Sequence, residues 1–289
     1  MTNMTRSQRV PSRAAGDRKI WRHAILIVFA MISAYPLLWL VAGSLKPERE
    51  IFDGIGLWSN NFSFDNYVNG WNSVDVSFGR FFLNTFIICA IAVIANVISC
   101  SMAAYAFASL PFVGKKALFV IMLGTLMLPL QAIVVPQYIL FKSLGMLGTI
   151  LPLVLPKFFA IDAFFIFLLV QFIRGLPHEL SEAARVDGAG PIRTFTAIIL
   201  PLLQPALVTV AIFTFIWTWN DFFSQLIFLT DPESYTVSLG LTLFIDATGV
   251  STYGPLFAMV TLSLVPICVI FLVFQRKLVQ GIATSGLKG

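Results

Sequence analysis

The residues whose types and spacing could act together lie in a polar segment, residues 174–201, between two long apolar runs. Polar and charged groups are costly inside lipid hydrocarbon, so the segment should lie outside it. Pro177 and Pro191 suit the first turns of two helices, and Gly188 suits the left-handed position that ends a helix. The segment is therefore expected to bind a soluble partner. Two short helices joined by a rigid glycine turn could transmit a push from that partner. An amphipathic connector lying on the lipid surface is an equal alternative.

A second group of polar residues interrupts the apolar run at residues 206–230. An acid, amides and indoles at this depth indicate a helix-bundle interior or a water-filled cavity. Aromatic faces and amide donors also suit the faces and hydroxyls of a sugar. The alternative is that Asn220 and Asp221 brace helix packing. The residues in question are Trp217, Trp219, Asn220, Asp221 and Gln225.

Three further polar residues fall within apolar runs. Gln131 lies between Pro129 and Pro136, and it should face protein or a cavity, with interhelical packing as the alternative. Lys157 and Asp162 are five residues apart, so they would not share one face of a continuous helix. A simple pair on one stripe is therefore not expected, and either residue could meet another helix or line a pathway.

The composition is that of an integral membrane protein. Of the 289 residues, 58% are hydrophobic and 11% are charged, against about 25% charged in soluble domains. The net charge of +5 does not point to nucleic acid, because the basic residues cluster at the edges of apolar runs. No metal-ligand spacing, catalytic cluster or phosphate-binding loop is visible, so no enzymatic activity is expected. Cys89, Cys100 and Cys268 are expected to be buried structural thiols.

Six apolar runs are long enough to cross a bilayer as helices, which predicts an all-α membrane protein. Two prolines in the third run predict a bend there, and Asn84 and Thr85 are expected to cap the second. The expected divisions are an N-terminal tail at 1–22, a transmembrane domain at 23–275 and a C-terminal tail at 276–289. The predicted runs are 24–44, 81–109, 117–141, 151–173, 206–230 and 255–274.

Positive charges predict the orientation. With both termini in the cytoplasm, the cytoplasmic segments contain fourteen Lys and Arg residues and the external segments four. This asymmetry follows the positive-inside rule and places the 174–201 segment in the cytoplasm. The long polar loop at 46–80, rich in aromatic residues, is then external and is expected to carry short interfacial helices.

The 174–201 segment carries a specific spaced pattern, in which Glu-Ala-Ala is followed at fixed intervals by Gly, Ile and Leu-Pro. This spacing resembles the coupling motif of the permease subunits of bacterial ABC importers, and two further residues extend it in the form typical of sugar importers. The C-terminal sequence is also similar to that of maltose-type permeases. The matching motif residues are Glu182, Ala183, Ala184, Asp187, Gly188, Ala189, Ile198, Leu200 and Pro201, and those of the tail are Gly286, Lys288 and Gly289.

The resemblance implies the six-helix type I ABC importer permease fold, with a cytoplasmic coupling helix, in the bacterial cytoplasmic membrane. It implies three protein partners: a second, different permease chain, an ATPase dimer and an extracytoplasmic solute-binding protein. ATP and Mg²⁺ would bind to the ATPase and no cofactor to this chain. The motif and the tail would contact the ATPase, while the cargo would be a sugar-like solute.

Two alternatives accompany this interpretation. The same machinery could import a glycerophosphodiester, a polyol or an amino-sugar compound. A stand-alone channel or secondary carrier is more remote, because six spans are few for most carriers and the coupling motif would then have no role.

Overall fold

In the computed structural model, residues 13–72, 75–177, 179–245 and 252–286 are described, and their regular structure is helical. The first helices along the chain are α1 (Arg13–Ser44), α2 (Asp65–Asn72), α3 (Phe78–Ser109), α4 (Lys115–Thr125) and α5 (Leu130–Ser143). The next are α6 (Leu151–Val154), a 3₁₀ turn (Leu155–Phe159), α7 (Ala163–Arg174), α8 (Glu179–Val186) and α9 (Pro191–Thr194). A π-helical turn (Phe195–Ile199) leads to α10 (Leu200–Leu202), α11 (Gln204–Asn220), α12 (Phe223–Phe228), α13 (Val237–Gly240) and α14 (Tyr253–Gly286).

Within the described part of the chain, four helical stretches are long and apolar enough to cross a membrane, and two bent helix pairs raise the number to six. Helices suit this environment because each one satisfies its own backbone hydrogen bonds. The bend predicted for the third run is confirmed, since α4 and α5 meet at 102°. The break falls just before α5, at Pro129, whereas Pro136 lies inside that helix.

Helix α3 forms the centre of the bundle and packs against α7 and α11. Small buried side chains on α3, including Ala92, Ala95 and Ala104, let the neighbouring backbones approach closely. The prediction of buried thiols holds for two cysteines on this helix, Cys89 and Cys100. It is wrong for Cys268, which is exposed in the single chain, on the outer side of α14.

The prediction that Asn84 and Thr85 cap the second span is also wrong. Helix α3 begins at Phe78, so both residues lie inside it. The Asn84 amide donates to the carbonyls of Glu233 and Tyr235, at 2.8 and 2.9 Å. The hydroxyl of Thr85 accepts a hydrogen bond from the Val237 N–H at 2.9 Å. These side chains therefore attach the segment before α13 to the bundle.

The outer helix α1 packs against α14 and leaves most of its apolar side chains exposed. Exposed apolar side chains on a spanning helix are suited to lipid or to another membrane chain. The loop between α1 and α3 contains a short 3₁₀ turn (Glu48–Glu50) and α2, as predicted for an interfacial loop. Its aromatic side chains Trp58 and Phe64 are exposed.

Candidate functional site

The predicted helix–turn–helix is present in the 174–201 segment. Helix α8 ends in a turn in which Gly188 has φ +77°. The Gly188 N–H donates to the Arg185 carbonyl at 3.0 Å, and the Ala189 N–H donates to the Ala184 carbonyl at 2.9 Å. This pair of bonds is the Schellman arrangement, which satisfies carbonyls at a helix end and requires a left-handed residue. The turn is therefore fixed by backbone hydrogen bonds.

One side of this segment is anchored to the bundle. Ala184, Thr194 and Ile199 are buried, and Ile199 belongs to the apolar core shared by α3, α7 and α11. The ring of Phe195 lies 5.2 Å from that of Tyr105 on α3. Movement of the segment would therefore be passed to α3 through packed side chains.

The opposite side of the segment is exposed and mixes apolar and acidic groups. Val186 is 88% exposed and Ile192 is 81% exposed, one on each side of the glycine turn. Exposed large apolar side chains of this kind suit contact with another protein or with the lipid surface. Among the motif residues, Glu182, Ala183, Asp187, Gly188 and Pro201 are exposed, while Ala189, Ile198 and Leu200 are half-buried.

A small cavity of about 280 Å³ lies behind the segment, between it and the ends of α3 and α7. Its lining includes Arg174, Arg185, Glu182 and Tyr105. The guanidinium of Arg174 also lies 5.4 Å from the ring centre of Phe119 on α4. Space on this side leaves room for the segment to shift against the bundle.

A larger cavity, of about 930 Å³, opens between α4, α5, the α6–α7 region and α11–α12. Trp217 and Asp221, two of the predicted pathway residues, line it. Trp217 is 48% exposed, and its ring stacks on Phe165 at 5.0 Å. The carboxylate of Asp221 accepts a hydrogen bond from the Ser224 N–H at 3.1 Å. An aromatic face and a carboxylate are thus presented to one space.

Two other predicted pathway residues are packing residues in this structure. Trp219 is 2% exposed, and its indole N–H donates to the Ser263 carbonyl on α14 at 3.2 Å. Gln225 is 1% exposed; its amide donates to the Thr218 carbonyl at 3.2 Å and accepts from the Thr236 hydroxyl. Both side chains hold α11 and α12 in place and do not line the large cavity.

Gln131 and Asn220 also lie outside the cavity lining. Both are exposed in the single chain, and Asn220 donates to the Ile216 carbonyl of its own helix at 2.8 Å. The amide on α5 that does reach the cavity is Gln137, which lies two turns after Gln131. A bend in the third run could be predicted, but the bend alone did not reveal which amide it turns inward.

The expectation that Lys157 and Asp162 do not pair is wrong. The Lys157 ammonium lies 2.9 Å from Oδ2 of Asp162 and 3.2 Å from Oδ1. The expectation assumed a continuous helix, but the helix is broken here: Ala160 has φ +54°, and α7 starts at Ala163. A reversal at Ala160 folds Asp162 back toward Lys157. Both side chains line the large cavity.

Two residues of α3 that the sequence analysis did not select, the buried Asn96 and the half-buried Ser99, support this ion pair. Asn96 on α3 donates to Oδ2 of Asp162 at 2.6 Å and to the Thr214 hydroxyl at 3.1 Å. The Ser99 hydroxyl donates to the Lys157 carbonyl at 2.6 Å. A lone asparagine in the middle of an apolar run was the available signal, because such a residue needs a partner inside the bundle.

Of the predicted tail residues, Gly286 is the last residue of α14, so residues 276–286 continue the last spanning helix. Lys288 and Gly289 lie outside the described residues.

Comparison with known proteins identifies the family. Residues 95–284 match the model of the "Binding-protein-dependent transport system inner membrane component" family. A diacetylchitobiose uptake system permease of Streptomyces coelicolor is 32% identical over 93% of this chain and 90% of its own length. A trehalose/maltose transport permease of Thermococcus litoralis is 32% identical over 91% of this chain and 94% of its own length.

A solved structure has the same fold. It is the crystal structure of a bacterial ABC transporter involved in the import of the acidic polysaccharide alginate. The two chains align with a TM-score of 0.80 and 22% identity, over 93% of this chain and 99% of the other. The chain is therefore a multi-pass membrane permease, and it belongs to the family of binding-protein-dependent transport system inner membrane components.

Proposed function

We propose that this chain, paired with a second and different permease chain, forms the translocation path for a sugar in an ABC importer of a bacterial cytoplasmic membrane. The observation that carries the proposal is the cavity of about 930 Å³, where the half-exposed ring of Trp217 lies beside charged hydrogen-bonding groups. The relatives named for diacetylchitobiose and for trehalose/maltose support a carbohydrate cargo.

The chemistry of the cavity suits a hydroxylated ring. An aromatic face can stack on the apolar face of a sugar, and carboxylate and ammonium groups can bond its hydroxyls. Trp217, Asp221, Lys157 and Asp162 supply these groups from α11 and the α6–α7 region. The second permease chain would close the open side of the cavity.

The 174–201 segment would couple the path to ATP hydrolysis by a separate ATPase dimer. Its exposed side offers Val186, Ile192 and the motif carboxylates of Glu182 and Asp187 for docking, and its buried side is fixed to the core through Ile199. ATP and Mg²⁺ would bind to the ATPase and not to this chain. In this arrangement both termini would lie in the cytoplasm, and the tail residues Gly286, Lys288 and Gly289 would lie near the ATPase.

An amino-sugar compound is a second candidate cargo, favoured by the name of the Streptomyces coelicolor relative. An extracytoplasmic binding protein would deliver either cargo to the assembled permease pair. The two candidates share the same path and differ in the substituents that the cavity must accept.

The proposal can be tested by co-expression of this chain with the products of its neighbouring reading frames. Affinity purification on this chain should recover a second permease and an ATPase in the ratio of one to one to two. Reconstituted in proteoliposomes with the binding protein, the complex should hydrolyse ATP faster when an oligosaccharide is added. Purification without an ATPase, or ATP hydrolysis indifferent to every sugar tested, would overturn the proposal.

A further inference from the structure

The charged side chains that line the large cavity do not sum to zero. Among the described residues that line it, three carry a formal charge: Lys157, Asp162 and Asp221. The remaining lining residues are apolar or neutral, for example Gln137 and Ser224. The wall contributed by this chain therefore bears a net charge of −1 when all three groups are ionised.

The positive charge of Lys157 is already paired with the carboxylate of Asp162. Both oxygens of Asp162 lie within 3.2 Å of the ammonium. Asp162 also accepts from Asn96, which is fully buried and bonded in turn to Thr214. Since the pair is held from behind by two helices, a passing anion would have to compete with a fixed carboxylate for Lys157.

The carboxylate of Asp221 is not paired with a cation among the described residues. No salt bridge to Asp221 is found in this part of the chain, so no cation lies within 4 Å of its carboxylate there. Its Oδ1 accepts one hydrogen bond, from the Ser224 N–H. Helix α11 ends at Asn220, and Asp221 follows Trp217 by four residues. Asp221 therefore lies just beyond the end of the helix, and both residues line the cavity.

We propose that Asp221 makes this path selective by charge: neutral or cationic hydroxylated solutes pass, and uronic acids and other anionic sugars are disfavoured. A ring stacked on Trp217 would present its substituents to Asp221, and a carboxylate there would face a second, uncompensated carboxylate. Like charges brought together out of bulk water repel strongly. The inference rests on the proposed sugar-transport function, and it makes the anionic glycerophosphodiester a disfavoured cargo.

The experiment uses the complete transporter in proteoliposomes with three matched disaccharides. These are diacetylchitobiose, which is neutral, its deacetylated cationic form, and a disaccharide of glucuronic acid. The measured quantity is the ratio of uptake of the glucuronide to uptake of diacetylchitobiose. The preference of the binding protein contributes equally to every permease variant, so a change in this ratio between variants reports the path alone.

Asp221→Asn is expected to raise this ratio about tenfold, the scale of one relieved like-charge contact. Asp221→Glu keeps the charge and should keep the wild-type ratio. Asp231→Asn is the matched control, because Asp231 is an exposed carboxylate outside the cavity lining and also accepts an N–H, from Glu233. An unchanged ratio in Asp221→Asn, or a wild type that imports the glucuronide as fast as diacetylchitobiose, would overturn the inference.

A second measurement covers the case in which Asp221→Asn fails to assemble. The methyl ester of the glucuronide removes the charge from the solute, so the wild-type transporter, with each solute saturating the binding protein, should import the ester about tenfold faster than the free acid. Equal uptake of ester and acid overturns the inference alone. A transporter that imports no saccharide of any charge overturns the proposed sugar cargo together with it.

Discussion

The ammonium of Lys157 lies 2.9 Å from the carboxylate of Asp162, across a break in a spanning helix. Their side chains are 25% and 21% exposed, so the pair is largely removed from solvent. The break at Ala160 and the buried amide of Asn96 together make this contact possible. An ion pair of this kind can be retained because removing one partner leaves the other charge uncompensated.

Removal of both partners should therefore destabilise the protein by less than the sum of the two separate removals. Lys157→Met and Asp162→Asn should each lower the free energy of unfolding by about 1–3 kcal/mol, below the range for a fully buried pair because both side chains keep some solvent contact. The double variant should lose less than the sum of the two single losses. Thermal unfolding of the purified protein in detergent measures the stability of the three variants. Lys116→Met is the control, because Lys116 is exposed. Strictly additive losses would contradict the coupling.

The glycine turn of the 174–201 segment provides a test of coupling. A Cβ at Gly188 meets no atom within 4 Å, so the cost of a side chain there comes from its φ of +77°. That cost is about 1–2 kcal/mol for an L-residue. Gly188→Glu is expected to leave the chain inserted while uptake falls and ATP hydrolysis continues, because the docking surface is distorted.

Gly190→Ala is the matched control for this variant. Gly190 also has open space around its Cβ position, but its φ is −71°, which any residue adopts. It should keep normal uptake, and Gly188→Asn should be intermediate because asparagine tolerates the left-handed region. Normal coupling in Gly188→Glu would exclude the proposed role of the turn.

Truncation of the two tryptophans of α11 should affect different properties, stability for Trp219 and uptake for Trp217. Trp219 is buried and bonded to the Ser263 carbonyl, so Trp219→Ala should cost about 3–5 kcal/mol of stability. Trp217 is half-exposed at the cavity, so Trp217→Ala should cost less stability but reduce uptake severely. Unfolding midpoints and sugar uptake, measured on both variants, separate the two roles. Equal effects of both substitutions on uptake per folded transporter would show that the cavity is not the path.

The amide of Asn84 should govern the order of residues 231–245. It donates to two carbonyls, those of Glu233 and Tyr235, and each bond contributes about 0.5–1.5 kcal/mol. Asn84→Ala should therefore speed hydrogen exchange in 231–245 and lower stability by about 1–3 kcal/mol. Asn220→Ala is a suitable control, because that amide bonds within its own helix. Unchanged exchange in Asn84→Ala would show that other contacts hold the segment.

Sequence rules predicted the features that depend on interactions between residues close together in the chain. The turn at Gly188 was predictable because a left-handed residue between two helices calls for glycine, whatever surrounds it. The bend before α5 was predictable because Pro129 cannot donate a helical hydrogen bond. The roles of Asn84 and Gln225 were not predictable in this way, since their partners lie 149 residues and 11 residues away in the chain.

The sequence by itself determined the membrane class, the apolar runs, the bend in the third run and the two helices joined by a glycine turn at 174–201, because hydropathy, backbone stereochemistry and proline geometry act over a few residues. Only the tertiary structure decided which polar residues of the apolar runs meet. Trp217 and Asp221 face a cavity while Trp219 and Gln225 are buried, and this division depends on how α11 packs against α3 and α14. The contact between Lys157 and Asp162 likewise required a helix break held by Asn96 from a distant part of the chain.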